Sequence, residues 1–312
     1  MDEAKRIATC DSFGTALREL GMLHDDLFVF DADIPITTMT SAFKRAFPDQ
    51  YFHHGMTEEN MLAVAAGAAS MGLVPFICIS AMSVGRVYEQ ICRSTSYSCL
   101  NVKIITHDGI SGDGNNISRL CCEDFALASF IPGMVVLCPS DDAEAKSAVR
   151  AAYEYQGPVY LRFSQRAVPV FHDEGMSLQI GKGEVLREGN DIALLATGCM
   201  VYEALQAGEI LSARGIYARI INLTTIQPLD EELVLKAAQE CGGIITCEEN
   251  SVTGSLGEAV CTLLSEKHTA LVRRISIQNT VRRSGAVKEP FWRFELTADH
   301  IAKTAEEAVI QK

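Results

Sequence analysis

The residues of this sequence that could carry chemistry fall in a few short segments. Glu58 and Glu59 follow Gly55-Met56-Thr57 and open an Ala-rich stretch of helical spacing. A carboxyl group at a buried helix start can share or donate its proton to a nitrogen base, because a low dielectric strengthens that bond. The same two acids also fit a plain role in the first turn, complementing the helix dipole behind Thr57 as cap. His107 closes the apolar run Val102 to Thr106, where it suits either a polar ligand or a satisfied place in the core. Arg119 lies one turn before Glu123, so its planar fork of donors either receives an anion or pairs with that acid.

Elements of a definite kind must hold these residues in place. Leu27 to Phe30 is an apolar run that ends in acids at Asp31 and Asp33, as a parallel strand ends at a functional edge. Helical periodicity from about Ser12 to Leu23 precedes it. The pattern continues with Glu58 to Met71 as helix, Val74 to Ile79 as strand, Arg86 to Ser96 as helix and Val102 to Thr106 as strand. Asp141 to Tyr153 then reads as helix and Val159 to Phe163 as strand. Alternation of this kind predicts a doubly wound, mostly parallel sheet in an α/β fold.

From Ala167 to about Gly189 the rhythm lapses and Pro169, Gly175, Gly181, Gly183 and Gly189 gather. A boundary is placed there, giving a first domain over 1–168, a linker over 169–188 and a second α/β domain over 189–312. The second set reads Asp191 to Ala196, Ala218 to Asn222 and Gly243 to Thr246 as strands, with helices over Val201 to Gly215, Asp230 to Cys241 and Ser255 to Ser265.

Composition narrows the class. With 312 residues, 48% of them apolar, the chain can bury two modest cores. The formal charge of −13 argues against nucleic acid as a partner. Eleven cysteines lack metal-ligand spacing, and Cys121-Cys122 are adjacent, which suits a reduced cytoplasm. The first 25 residues hold no apolar signal region, so a cytoplasmic location is expected. Met61 to Gly85 carries no charge, but Gly72-Leu73-Val74-Pro75 interrupts it as a turn would; a buried helix and strand are expected rather than a membrane span.

Gly55-Met56-Thr57-Glu58-Glu59-Asn60-Met61 resembles the G-I-A-E-Q-N-M segment of transketolases and their relatives. Phe30-Asp31-Ala32-Asp33-Ile34 resembles the family's D-A-D-L, Gly85 to Ile91 its G-R-A-Y-D-Q-I, and Asn101 to Ile110 its segment ending in T-H-A-G-I or T-H-D-S-I. Gly157 to Arg162 resembles the closing strand of its pyrimidine-side domain. Leu195-Ala196-Thr197-Gly198, Ile226 to Asp230, Thr246 to Asn250 and Gly254 to Gly257 follow its C-terminal domain in order.

The resemblance implies thiamine diphosphate as cofactor. Glu58 would hydrogen-bond a ring nitrogen of its aminopyrimidine, favouring the imino tautomer that removes the thiazolium proton. Asp33 falls where a cofactor-side acid is expected, and His107 where a substrate ligand is. It implies transfer of a two-carbon ketol unit from a ketose, or ketose phosphate, to an aldose. Gly112-Asp113-Gly114 with Asn115 is a poor match to the family's metal motif, whose asparagine stands tens of residues later, so no metal site is readable here. The diphosphate and its Mg²⁺ then need a partner subunit with oxygen ligands and a helix N-terminus, in an α2β2 assembly. An exposed apolar face is expected where that subunit docks.

The departures lie around the same site. Two phenylalanines that the family sets against the aminopyrimidine fall at Ser80 and Ser83, a loss of about 1–3 kcal/mol of ring contact, with Met82 and Tyr88 as candidates to fill the gap. Ungapped from His107, a substrate-facing aspartate becomes Asn115 and a second histidine becomes Arg119, whose donors suit a carboxylate, phosphate or sulfonate. Thr37 and Arg166 fall near the family's phosphate-binding positions, and Asn250 replaces a common histidine, which reads as drift in a structural domain. Two alternatives stay open: the β subunit of a 2-oxoacid dehydrogenase, and a catalytically degenerate structural paralogue motivated by Ser80 and Ser83.

Overall fold

The apolar runs become the parallel strands of two layered α/β units, in a computed structural model that describes residues 5–32, 39–55, 57–107, 121–278 and 290–311. The first unit runs β1 (Arg6–Ala8), α1 (Thr9–Gly21), β2 (Leu27–Asp31), α2 (Ser41–Ala46), β3 (Tyr51–His53), α3 (Glu58–Ser70) and β4 (Val74–Ser80). It continues through α4 (Val84–Gln90), β5 (Lys103–His107), α5 (Asp124–Ser129), β6 (Val135–Leu137), α6 (Asp142–Glu154), β7 (Val159–Arg162) and β8 (Ala167–Pro169). Beyond α4 the helix is drawn out as a π-helical stretch over Ile91–Ser96.

The second unit runs β9 (Glu184–Arg187), β10 (Ile192–Ala196), α7 (Met200–Ser212), β11 (Ala218–Asn222), β12 (Thr225–Gln227), α8 (Glu231–Cys241) and β13 (Gly243–Ser251). Then follow α9 (Leu256–Lys267), β14 (Leu271–Ile277), α10 (Pro290–Arg293) and α11 (Ala298–Gln311).

The larger sheet has the order β12-β6-β7-β5-β4-β2-β3, and all its pairings are parallel except that of β12 with β6. The smaller has the order β14-β13-β10-β11-β9, parallel but for its edge strand β9. This is the doubly wound arrangement that the alternation of runs predicts. Strands buried on both faces need continuous apolar runs, which is why Phe76-Ile77-Cys78-Ile79 of β4 and Ile192 to Ala196 of β10 lack alternation.

The stretch read as a linker over 169–188 is more structured than its composition suggests. Glu184–Arg187 within it forms β9 and pairs antiparallel with β11. The cis Gln227-Pro228 bond ends β12, which leaves its own unit to extend the first unit's sheet, with Thr225 opposite Leu137. One apolar core accordingly draws on both units, bringing Phe125, Val136 and Tyr160 together with Leu195, Ile221 and Val260. No helix among the described residues is long and apolar enough to cross a membrane, and the uncharged run from Met61 is α3 followed by β4.

Candidate active site

Parallel strands carry their chemistry at their C-terminal ends, and here one sheet edge gathers the polar residues that end each run. Register places Asp31 beside His53 on one side and Cys78 on the other, Ser80 beside His107, and Thr106 beside Arg162. The chain then turns from β3 into α3 through Gly55, which takes a φ of +63° that a side chain would disfavour. Thr57 does not cap this helix with its side chain. Its hydroxyl donates instead to the His54 carbonyl at 2.8 Å, tightening the turn that delivers Glu58.

Glu58 opens α3 as a buried acid. The Ser83 hydroxyl donates to its Oε1 at 2.9 Å, and the Arg86 guanidinium pairs with its Oε2. The Arg86 Nε lies 3.3 Å from Glu59 Oε1, so one guanidinium bridges the two adjacent acids. The described residues therefore fit the pyrimidine half of a thiamine cofactor. A shielded carboxyl group faces the strand edge, and its present partners are a hydroxyl and a half-exposed arginine that a ring nitrogen could replace.

His107 is buried at the end of β5, across from Ser80 at the end of β4. Met82 is exposed in the short turn Ala81–Ser83. Tyr88 does not approach Glu58 in the way a ring filling the gap should. Two residues beyond Arg86 on a helix it points about 200° away, packs against the core and is held near Cys92; burial, then the Cys92 contact, raises its phenol above the usual value. Arg166 is likewise committed elsewhere: it pairs with Glu203 at 2.5 Å and lies 4.1 Å over the Phe291 ring, which joins the two units. Asp33, Thr37, Asn115 and Arg119 lie outside the described residues.

A buried polar network behind this edge escaped the sequence reading. Arg162 is fully buried and pairs with Asp124 at 2.7 Å; Asp124 also accepts the Tyr160 hydroxyl at 2.8 Å. Arg162 donates to Asn250 Oδ1 at 3.2 Å and stands 3.9 Å from Glu249. Burial opposes the charge on Arg162, but Asp124 and Glu249 hold its pKa well above the usual value. Burial likewise pushes Glu249 up while Arg162 pulls it down, leaving it raised. Asn250 is thus a working joint between the units and not the drift its missing histidine suggests. Sequence separation of 88 residues from Arg162 hides such a contact. Arg86 escaped too, since nothing local signals its partner.

Comparison with known proteins agrees with this architecture. Residues 5–170 match the family described as transketolase, pyrimidine binding domain, and residues 181–301 match transketolase, C-terminal domain. The chain belongs to the transketolase family, whose members depend on thiamine diphosphate. A putative transketolase C-terminal section from Methanocaldococcus jannaschii is 38% identical over 93% of each chain. A 6-deoxy-6-sulfo-D-fructose transketolase subunit, SqwH, from a Clostridium species is 35% identical over 97% of this chain and 94% of its own. The solved structure of a split-gene transketolase, described as an inactive β4 tetramer, superposes with a TM-score of 0.88 at 35% identity, covering 98% of this chain and 99% of that one.

Proposed function

We propose that this chain is the pyrimidine-side and C-terminal subunit of a split, thiamine-diphosphate-dependent transketolase that moves a two-carbon ketol unit from a ketose to an aldose. The observation that carries the reading is Glu58, a shielded carboxyl group at the first turn of α3, at the same strand edge as Ser80 and His107. Glu58 holds a proton with a pyrimidine ring nitrogen, and His107 orients the polar end of the substrate. The thiamine group, when bound, supplies the carbanion chemistry.

The diphosphate and Mg²⁺ belong to an N-terminal partner subunit, a division supported by the relatives described as a C-terminal section and as a subunit. The outer face of α3 fits such a partner. The helix has no charge after Glu59, and Val64 and Met71, one face apart by seven residues, are 44% and 82% exposed. A pair of each subunit would complete two sites. In the substrate, an anionic end is favoured: Arg119 follows His107 by twelve positions in the sequence, and a relative 35% identical is described as a subunit of a 6-deoxy-6-sulfo-D-fructose transketolase.

The test is calorimetric titration of thiamine diphosphate with Mg²⁺ into the assembled complex, with Glu58→Gln alongside, followed by ketol transfer from ketose phosphates and sulfonates. Binding with turnover that drops at least a hundredfold in the variant supports the reading, since a proton-transfer role contributes about 10²–10⁴ in rate. A Glu58→Gln complex as active as the unaltered one would remove Glu58 from the mechanism and sink the reading, whereas an unaltered complex that neither binds the cofactor nor turns over would restore the view of a structural paralogue.

A further inference from the structure

We propose that Arg86 is a positioning residue that guards Glu58, holding its carboxylate in the chain without cofactor and releasing it to the pyrimidine ring by withdrawing onto Glu59. The inference rests on the thiamine reading of the site. Its own observation is the bridging guanidinium. Arg86 reaches Glu58 through Nη2 and Glu59 through Nε at 3.3 Å, so it can leave the first acid and keep the second.

Burial makes the exchange directional. The side chain of Glu58 is 8% exposed, that of Glu59 is 42% exposed and that of Arg86 is 54% exposed. The buried acid is therefore the member that needs a partner, while the arginine loses little by returning to water. The guanidinium occupies Oε2, the oxygen that a ring nitrogen would have to meet while Oε1 stays with Ser83. Both cannot be served at Oε2 together. Ser83 keeps Oε1 in place through its 2.9 Å hydrogen bond while the partner at the other oxygen changes. Arg86 leaves the first turn of α4 and reaches both acids at the start of α3, with its side chain already half in solvent.

The prediction is unusual for an arginine in contact with a catalytic acid, because removing it should improve cofactor binding. Titration of thiamine diphosphate into the Mg²⁺-loaded complex with the N-terminal subunit is the measurement, made on the unaltered protein, Arg86→Met, Arg86→Lys and Glu59→Gln. Arg86→Met should bind about threefold to tenfold tighter, as expected for release of a partly exposed ion pair. Arg86→Lys should return toward the unaltered affinity, and Glu59→Gln, which removes the resting place, should bind more weakly. A urea-unfolding cycle on the chain alone, with Glu58→Gln, Arg86→Met and the double variant, should show the two residues coupled. A purely structural arginine would weaken binding when removed, so unchanged or weaker binding by Arg86→Met overturns the guard. Failure of every form to bind, the unaltered complex included, overturns the thiamine reading and the guard with it; tight binding indifferent to Arg86 overturns the guard alone.

Discussion

Ser83 shows how a single substitution changes the meaning of a site. The family's motif has an aromatic ring at this position, and the sequence suggests a gap to be filled by Met82 or Tyr88. The structure closes the gap by other means. The hydroxyl turns toward Glu58 and fixes Oε1, while Tyr88 packs away against the core. A polar grip on the carboxylate stands where the resemblance leads one to expect an aromatic ring. Ser83→Ala should therefore destabilise the chain by about 1–2 kcal/mol, a hydrogen bond to a charged acceptor being at the upper end of the usual range, with the change read from urea unfolding. An unaffected midpoint would show that the hydroxyl does not hold Glu58 in solution. The place of Glu58 as an acid opening a helix was legible in the sequence, because a Gly-x-x-Glu-Glu turn into an Ala-rich stretch is local, while its expected role came from the family resemblance. Arg86 was not, because 28 residues of chain separate it from the acid it meets only through the packing of α4 on α3.

At the scale of elements, period and run length found every long central strand, and missed pieces whose stability comes from neighbours. β6 and β12 are only three residues each and form because each lies along a strand already in place. The Gly-rich stretch misled for a similar reason: its composition is that of a loop, yet side chains fasten it. Asp141 caps α6 by accepting from Glu144 N at 3.0 Å, and its other oxygen accepts the backbone N–H groups of Phe171 and His172 at 2.8 Å. The His172 ring lies 3.1 Å from Asp141 and 3.3 Å from Glu184, at the start of β9.

Burial opposes the charge on His172, but the hydrogen bond to Asp141 and the surrounding carboxylates raise its pKa above the ordinary value, while burial is outweighed by His172 in holding Asp141 below its own. The folded state thus binds the histidine proton more tightly than the unfolded chain does. The stabilisation is complete below the ordinary histidine value of about 6.5 and fades as pH rises through the folded-state pKa; on the acid side it fades as pH falls through the depressed pKa of Asp141. His172→Gln should remove that alkaline-side loss. Its unfolding midpoint, followed against pH, should lie below the unaltered protein's in mild acid and converge with it above neutrality. Parallel curves would show that the clamp is not ionic.

The whole molecule is less divisible than its sequence. Two α/β sets separated by a glycine-rich stretch read as two domains joined by a linker, and two family descriptions match on either side of it. Yet β12 completes the first unit's sheet, and Ile226 lies in the core that both units share. Polar contacts cross as well. Glu144 on α6 is buried; it accepts from Ser140 N at 2.7 Å within the first unit and from Asn222 Nδ2 at 2.8 Å and the Thr224 hydroxyl in the second. Arg166 with Glu203, and Arg162 with Asn250, are further ties. An isolated first unit would expose an unpaired edge at β6 and leave Arg162 and Glu144 short of partners, a loss of several buried contacts at about 1–3 kcal/mol each. A stable domain holds only about 5–15 kcal/mol in total. Residues 1–170 expressed alone should consequently aggregate or remain unfolded, and the full chain should melt in one transition whose calorimetric and van't Hoff enthalpies agree. A soluble fragment with a cooperative melt of its own, or two resolved transitions in the full chain, would restore the two-domain picture. The single transition would instead mean that the two units stand or fall together, so that loss of the second unit cannot be separated from loss of the strand edge that carries the site.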